Sequence, residues 1–251
     1  MPKEDGSERL QKLYPNVEAL MEKAGRLVGK TLTEITDEIH KSDAVSRVVT
    51  KGTVGYMVEH FYFGVKINSD AEPDIKHLGI EIKTCPLKFD STKTKLSVKE
   101  PLSLNMVNYC DEWKNDDIKQ SSLYKKNKKT LFVCYIHDDG KNRSDYVIKY
   151  VFLWEMDDKV LEELRPDYEL IIKKIREGKA TDLHQKYNKW LTTCPKHGGV
   201  FRDPDCRLSK TKQPFSEKPA ERRAFRLKNT YMNMIIARHL GKKLTKGGWE
   251  A

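Results

Sequence analysis

At 251 residues, with 38% apolar and 33% charged side chains, the chain is long enough for one large domain or two small lobes, and too apolar for the disordered class. No run approaches the roughly 18 apolar residues of a membrane span, and the charged start from Met1 to Leu10 lacks the apolar stretch of a secretory signal. Five irregularly spaced cysteines (Cys85, Cys110, Cys134, Cys194, Cys206) argue against a disulfide framework and for a reducing, cytoplasmic setting, with no membrane partner.

In chain order, Val17, Leu20, Met21, Ala24 and Leu27 form one stripe at 3.6-residue spacing, which predicts a helix. Thr31 and Glu34 have the spacing of a capping box for a second helix running to Ile39. A third is predicted from Val54 to Phe63, with Val54, Met57, Val58, Phe61 and Tyr62 on its apolar face and Gly64 as its stop. Strands follow at Leu78–Cys85, at Leu96–Leu104, and at Thr130–Ile136 and Tyr146–Trp154, the last two joined by the turn Asp138-Asp139-Gly140. Pro166 is placed in the first turn of a helix that carries Tyr168, Ile171, Ile172 and Ile175 and ends at Gly178. Thr192 to Pro219 reads as loop, Arg223–Lys228 as a strand and Tyr231–Leu240 as a buried helix. Helices flanking a mixed central sheet make this an α/β (α+β) protein.

The net charge of +10 is unevenly spread. Between Cys206 and Ala251 twelve Lys and Arg stand against Glu217, Glu221 and Glu250, so this segment alone contributes +9. Phosphate is the partner that such charge attracts, because Lys and Arg displace its counterions; a solvated basic tail is the plainer alternative.

The stretch Glu72-Pro73-Asp74-Ile75-Lys76-His77-Leu78-Gly79-Ile80-Glu81-Ile82-Lys83-Thr84 concentrates the chemistry. On a strand, Glu81 and Lys83 share a face while Ile80 and Ile82 point into the core. Asp74 adds a second carboxylate from the preceding turn. Two carboxylates and a backbone carbonyl, that of Ile82, can hold Mg²⁺ through hard oxygen ligands, and Lys83 can orient an attacking water. Asp-x6-Glu-x-Lys is short, and a solvent-facing strand edge has the same residues. The predicted helix upstream brings Glu59, on the side of Gly55, where a small residue lets another backbone, protein or DNA, come close. A lone helix Glu is more commonly a solvated carboxylate. Cys194, His197 and Cys206 supply three of the four ligands that a structural zinc needs, so no zinc is expected.

Taken together, Lys51-Gly52-Thr53-Val54-Gly55-Tyr56-Met57-Val58-Glu59, Pro73-Asp74 and Gly79-Ile80-Glu81-Ile82-Lys83-Thr84 resemble the MutH family, within the PD-(D/E)xK nucleases. Gly29-Lys30-Thr31-Leu32-Thr33-Glu34-Ile35, Leu104-Asn105-Met106-Val107-Asn108-Tyr109, Arg223-Ala224-Phe225-Arg226-Leu227-Lys228 and Ala237-Arg238-His239-Leu240 extend the resemblance in the same order. The resemblance implies a restriction-endonuclease-like fold, with a catalytic lobe over about 1–120 and a DNA-recognition lobe over about 121–251, gripping double-stranded DNA in a cleft. It implies metal ligation by Asp74, Glu81 and the Ile82 carbonyl, with Mg²⁺ as the cofactor and Mn²⁺ able to substitute. Lys83 would position water and Glu59 would be a supporting acid. DNA contacts are implied for Lys51, Lys126, Lys196, Arg226 and Lys228; for Lys126 a basic surface loop is the plainer reading. Family members include type II restriction enzymes cutting at GATC and mismatch-repair nicking endonucleases. The stretch Leu104–Tyr109, with Ser121-Ser122-Leu123 and Lys126-Asn127, lies nearer the restriction branch. That branch implies double-strand cuts leaving 5′-phosphates, through a homodimer on DNA or two sequential nicks. The alternatives are a nickase switched on by a MutL-like partner and an inert DNA-binding module. Two departures bear on site preference. Cys194-Pro195-Lys196 stands where the family has Arg-Pro-Lys, and Arg226 where it has tyrosine; Arg226 can read guanine or hold phosphate.

Overall fold

The structure is a computed structural model describing residues 6–39, 53–66, 71–196 and 210–251. It opens with helices α1 (Gly6–Leu13), α2 (Val17–Gly25), α3 (Leu32–Ile39) and α4 (Thr53–Tyr56), the last continued by a π-helical turn, Met57–Tyr62. Strands β1 (Ile80–Phe89), β2 (Lys95–Val98) and β3 (Leu102–Met106) precede α5 (Tyr109–Glu112) and α6 (Ser122–Asn127). Then come β4 (Lys129–Ile136), β5 (Ile148–Glu155) and α7 (Asp158–Arg176). The chain closes with β6 (Leu191–Pro195), β7 (Lys210–Gln213), β8 (Ser216–Glu221), β9 (Arg223–Leu227), α8 (Asn229–His239) and β10 (Trp249–Glu250). The class is mixed α/β, as the sequence implied. Two compact units alternate along the chain: 1–99, 129–155 and 236–251 in one, 100–128 and 156–235 in the other.

The first unit is built on a five-stranded sheet of order β10-β2-β1-β4-β5. Only the β1–β4 pair is parallel. Ile80 and Ile82 of β1, with Leu131, Val133 and Ile148, are fully buried against Leu20, Ala24, Leu27, Ile35 and Val58 from the helices. At about 1.5–3 kcal/mol for each fully buried aliphatic side chain, this cluster is what fixes β1 in the middle of the sheet. Local chemistry sets the helix starts. Asn16 caps α2 by accepting from the Ala19 N–H at 2.9 Å. The Thr31–Glu34 box forms as expected: the Thr31 N–H donates to Glu34 Oε2 at 2.6 Å, and the Glu34 N–H to Thr31 Oγ1 at 3.2 Å.

The second unit has a three-stranded sheet, β3-β9-β6, and the hairpin β7–β8. Helix α7 buries Val160, Leu161, Leu164, Tyr168, Ile171, Ile172 and Ile175 along one stripe. Among the described residues no helix is long and apolar enough to cross a membrane.

Four expectations are corrected. Pro166 lies inside α7, whose cap is Asp157, accepting from the Val160 N–H at 2.8 Å. An interior proline costs a helix about 3 kcal/mol, and the continuous buried stripe on both sides offsets that. The helix predicted over Val54–Phe63 turns π-helical from Met57, with the Phe63 N–H bonded five residues back to the Val58 carbonyl. Its buried face is therefore Val54, Val58, Tyr62 and Phe63, while Met57 and Phe61 are half-buried. The strand expected over Leu96–Leu104 is two strands in different sheets, β2 and β3, separated at Lys99-Glu100-Pro101, where proline offers no N–H. The loop expected over Thr192–Pro219 contains most of β6, all of β7 and part of β8; residues 197–209 lie outside the described residues.

Candidate active site

The spacing between Asp74 and Glu81 is the length of one tight turn. Ile75 bridges Ile80 in antiparallel fashion, with N–H to carbonyl bonds of 2.9 and 3.3 Å in the two directions. Between them Lys76–Leu78 makes a 3₁₀ turn, and Gly79 closes it in the left-handed region at φ 66°. His77 Nε2 lies 2.7 Å from the Tyr14 carbonyl and ties the turn to the end of α1. The chain thus doubles back, and Asp74 comes to lie beside the start of β1. Its carboxylate accepts the Ile82 N–H at 2.9 Å, and its own N–H donates to Glu81 Oε2 at 3.2 Å.

Glu81 and Lys83 share a strand face, as alternation predicts, and Lys83 Nζ donates to Glu81 Oε1 at 2.5 Å. The Glu81 side chain is 2% exposed and that of Lys83 20%. Across the parallel pair their neighbours on β4 are Thr130 and Phe132, both fully buried, so water screens these charges little. Burial is the largest single influence on Lys83 and pulls its pKa down. The Glu81 and Asp74 charges, the Glu81 hydrogen bond and the Glu59 charge together outweigh it, and the ammonium is held above the ordinary lysine value of 10.5.

Glu59 sits in the π-helical turn and is half-buried. A Cβ placed on Gly55 would lie 3.4 Å from Thr84 Oγ1 and 3.6 Å from Glu59 Oε1. The helix face carrying Gly55 and Glu59 therefore packs against β1 next to Lys83, and the close approach that Gly55 permits is to a side chain of β1. Asp74, Glu81 and Lys83 are joined by direct hydrogen bonds, and Glu59 acts on Lys83 through its charge. Thr84 was not singled out in the sequence; the small residue at Gly55 was the signal that something lies opposite. The oxygen donors Asp74, Glu81 and the Ile82 carbonyl suit a hard divalent cation. Among the described residues no group of three or more His, Cys, Asp or Glu side chains is arranged to hold a metal, so carbonyl, water or phosphate oxygens would have to complete such a site.

The remaining described candidates lie in the second unit. Lys51 lies outside the described residues, as do His197 and Cys206. Lys126 is half-buried on α6. The Lys196 N–H donates to the Arg222 carbonyl at 2.8 Å, just past β6. Lys228 Nζ donates to the Asn188 carbonyl. Arg226 lies on β9 between Ser103 of β3 and Thr192 of β6. Among the described residues, its Nε and the Thr192 hydroxyl are buried without hydrogen-bond partners. Cys194, in the zinc-like spacing, is a free, buried thiol 3.6 Å from Ser103 Oγ.

Residues 63–167 match the family described as the DNA mismatch repair enzyme MutH. The type II restriction enzyme Sau3AI of Staphylococcus aureus is 31% identical over 229 residues, covering 90% of this chain and 44% of that enzyme. This chain therefore spans somewhat under half of the Sau3AI length. The DNA mismatch repair protein MutH of Histophilus somni is 27% identical over 72% of this chain and 79% of its own length. That of Yersinia enterocolitica is 26% identical over 88% and 92% respectively. The resemblance to the MutH family read from the motifs thus extends over most of the chain.

Proposed function

We propose that this chain is a Mg²⁺-dependent, sequence-specific DNA endonuclease, acting as a type II restriction enzyme at a GATC-like site and leaving 5′-phosphate ends. The observation that carries the reading is the closed pattern at the start of β1: Asp74 on the Ile82 N–H, Glu81 on the Asp74 N–H, and Lys83 on Glu81. The similarity to Sau3AI over 90% of the chain supports the restriction branch.

Asp74, Glu81 and the Ile82 carbonyl would hold the cation, with Mn²⁺ able to replace Mg²⁺. Formally, the carboxylates Asp74, Glu81 and Glu59 against the ammonium of Lys83 leave two negative charges, which a divalent ion balances. The metal, when bound, supplies positive charge to the phosphoryl oxygens and acidity to water. Lys83, held as an ammonium, orients the attacking water through its N–H donors and stabilises the charge that develops as the water loses its proton. Glu59, in the adjoining helix, offers a carboxylate to accept a proton. Attack in line with the scissile bond expels the 3′ oxygen. One centre cuts one strand, so a double-strand break requires a homodimer on the DNA or two sequential nicks.

Incubating the purified chain with plasmid and Mg²⁺ tests this. Linear product supports the restriction reading. Nicked circles formed only on adding a MutL-like protein would replace it with the repair-type nickase. No cutting with any divalent cation, at sites of any methylation state, would refute the enzyme reading and leave a DNA-binding module. Asp74→Ala and Lys83→Ala should abolish cutting and retain binding. Independently of activity, Mg²⁺ should raise the thermal midpoint of the unsubstituted chain and not that of Asp74→Ala.

A further inference from the structure

The second unit carries a basic and aromatic surface that the candidate centre does not use. Helix α7 ends in Lys173, Lys174 and Arg176, and the segment after it brings Lys186, Tyr187, Lys189 and Trp190. Tyr187 is 55% exposed. Lys174 Nζ lies 5.6 Å from the centroid of its ring and Lys186 Nζ 4.8 Å from the same centroid. Lys189 Nζ lies 4.8 Å from the centroid of the Trp190 ring. Among the described residues none of these three ammoniums forms an ion pair with a carboxylate. Glu177, the acidic residue nearest in sequence to Lys174, is paired with Lys179 at 3.0 Å.

The surface is held in shape. The Asp167 carboxylate of α7, 5% exposed, accepts the N–H groups of Lys189, Trp190 and Leu191 at 2.7, 2.5 and 2.8 Å. The Asn188 amide donates to the Asp167 carbonyl at 3.2 Å. Lys186 and Tyr187 belong to a 3₁₀ turn immediately before this anchor. Helix α7 therefore presents Lys174 itself and also fixes the backbone that presents the other two lysines.

Two ammoniums drawn to one exposed ring repel each other. The ring holds each by about 0.5–1 kcal/mol at an exposed site, and an anion between them turns the repulsion into attraction. A ring engaged by cations is less open to stacking on an unpaired base, which favours the phosphates of a duplex over single-stranded nucleic acid. We propose that Lys174, Lys186, Tyr187 and Lys189 form a phosphate-binding surface for duplex DNA, in the compact unit that does not contain Asp74, Glu81 and Lys83. The proposal rests on the endonuclease reading for its choice of polyanion.

The test is the salt dependence of binding to a labelled duplex, in EDTA so that nothing is cut, using the full chain. Each lost phosphate contact lowers the slope of log affinity against log salt by about 0.9, so a Lys174→Ala, Lys186→Ala, Lys189→Ala variant should lose about 2–3 from the slope, equally on duplexes of unrelated sequence. Tyr187→Phe should keep the slope and Tyr187→Ala should lower it. An unchanged slope in the triple variant would overturn the proposal. So would a change confined to one sequence, which marks base reading, or loss of binding to an acidic peptide with duplex binding intact. The two readings fail separately. A chain that binds duplex through these lysines and never cuts sinks the endonuclease reading alone. One that cuts, with an unchanged slope in the triple variant, sinks the surface alone.

Discussion

Replacing Gly79 with alanine tests whether the turn from Ile75 to Ile80 builds the candidate centre. Gly79 is left-handed at φ 66°, and among the described residues a Cβ placed on it meets no atom within 4 Å. The cost is therefore purely conformational. An L-residue in this region costs roughly 1–2 kcal/mol, and the smaller conformational freedom of alanine in the unfolded chain returns about 0.4–1 kcal/mol. Gly79→Ala should lower the urea-derived stability by about 1 kcal/mol, with an unchanged denaturant slope. Gly79→Asn should lie between the two, because asparagine tolerates the left-handed region. The effect on cutting should be much larger than on stability. Relaxation of Gly79 moves Asp74, which sits on the far side of the turn, relative to Glu81 and Ile82, and misplacement by about 1 Å can cost on the order of a hundredfold in rate. The assay is single-turnover plasmid cleavage beside urea unfolding. Full cutting by a variant destabilised as expected would refute the claim that this turn sets the geometry. A loss of several kcal/mol would show that the position is sterically filled.

Three further outcomes follow from the geometry. Gly55→Ala should raise stability by about 0.5–1 kcal/mol through helix propensity, because its new contacts at 3.4 and 3.6 Å are ordinary ones, and cutting should persist; loss of cutting in a stabilised variant would put DNA, instead of Thr84, against that helix face. Burial holds the Glu112 carboxyl above its ordinary pKa of 4.5, although hydrogen bonds from Ser122 and Tyr168 pull it back. The stability contributed by its neutral form is complete below pH 4.5 and declines as pH rises through that value towards the folded pKa. Glu112→Gln, which keeps an uncharged acceptor, should therefore have the higher urea midpoint at pH 7 and a flatter pH profile, and an equal loss at acid and neutral pH would refute this. Asp167→Ala leaves the Lys189, Trp190 and Leu191 N–H groups without their acceptor and should cost about 3–5 kcal/mol, whereas a loss under about 1 kcal/mol in urea unfolding would mean that water replaces the carboxylate.

What was legible in the sequence was what a few neighbouring residues decide. The Thr31–Glu34 box and the shared face of Glu81 and Lys83 depend on contacts within one or two turns or one strand, and both form as read. Pro166 was misread because the local rule places proline at a helix start, while the stripe from Val160 to Ile175 overrides it over a longer range. The π-helical turn at Met57 leaves no mark in a pattern of 3.6-residue period. Strands β7 and β8 are Lys-bearing segments that read as loop until a partner strand is known, β6 is buried from Leu191 to Cys194 and so has no apolar–polar alternation, and the two-residue β10 is too short to show any.

The same difference in range separates the parts of the candidate site. Asp74, Glu81, Ile82 and Lys83 fall within ten consecutive residues, and their mutual hydrogen bonds follow once the turn at Gly79 closes and β1 is seated. A pattern of that kind survives in a short motif, which is why it could be read without a structure. Arg226 owes its surroundings to Ser103 and Thr192, which lie 123 and 34 residues away and meet it only when β3 and β6 pair with β9. The basic surface is intermediate. Its lysine and aromatic residues are interleaved at 186–190, yet their fixed arrangement depends on Asp167, about twenty residues earlier on α7. Chemistry written into one turn and one strand is thus readable locally. An arrangement spread over three strands, such as the surroundings of Arg226, is not.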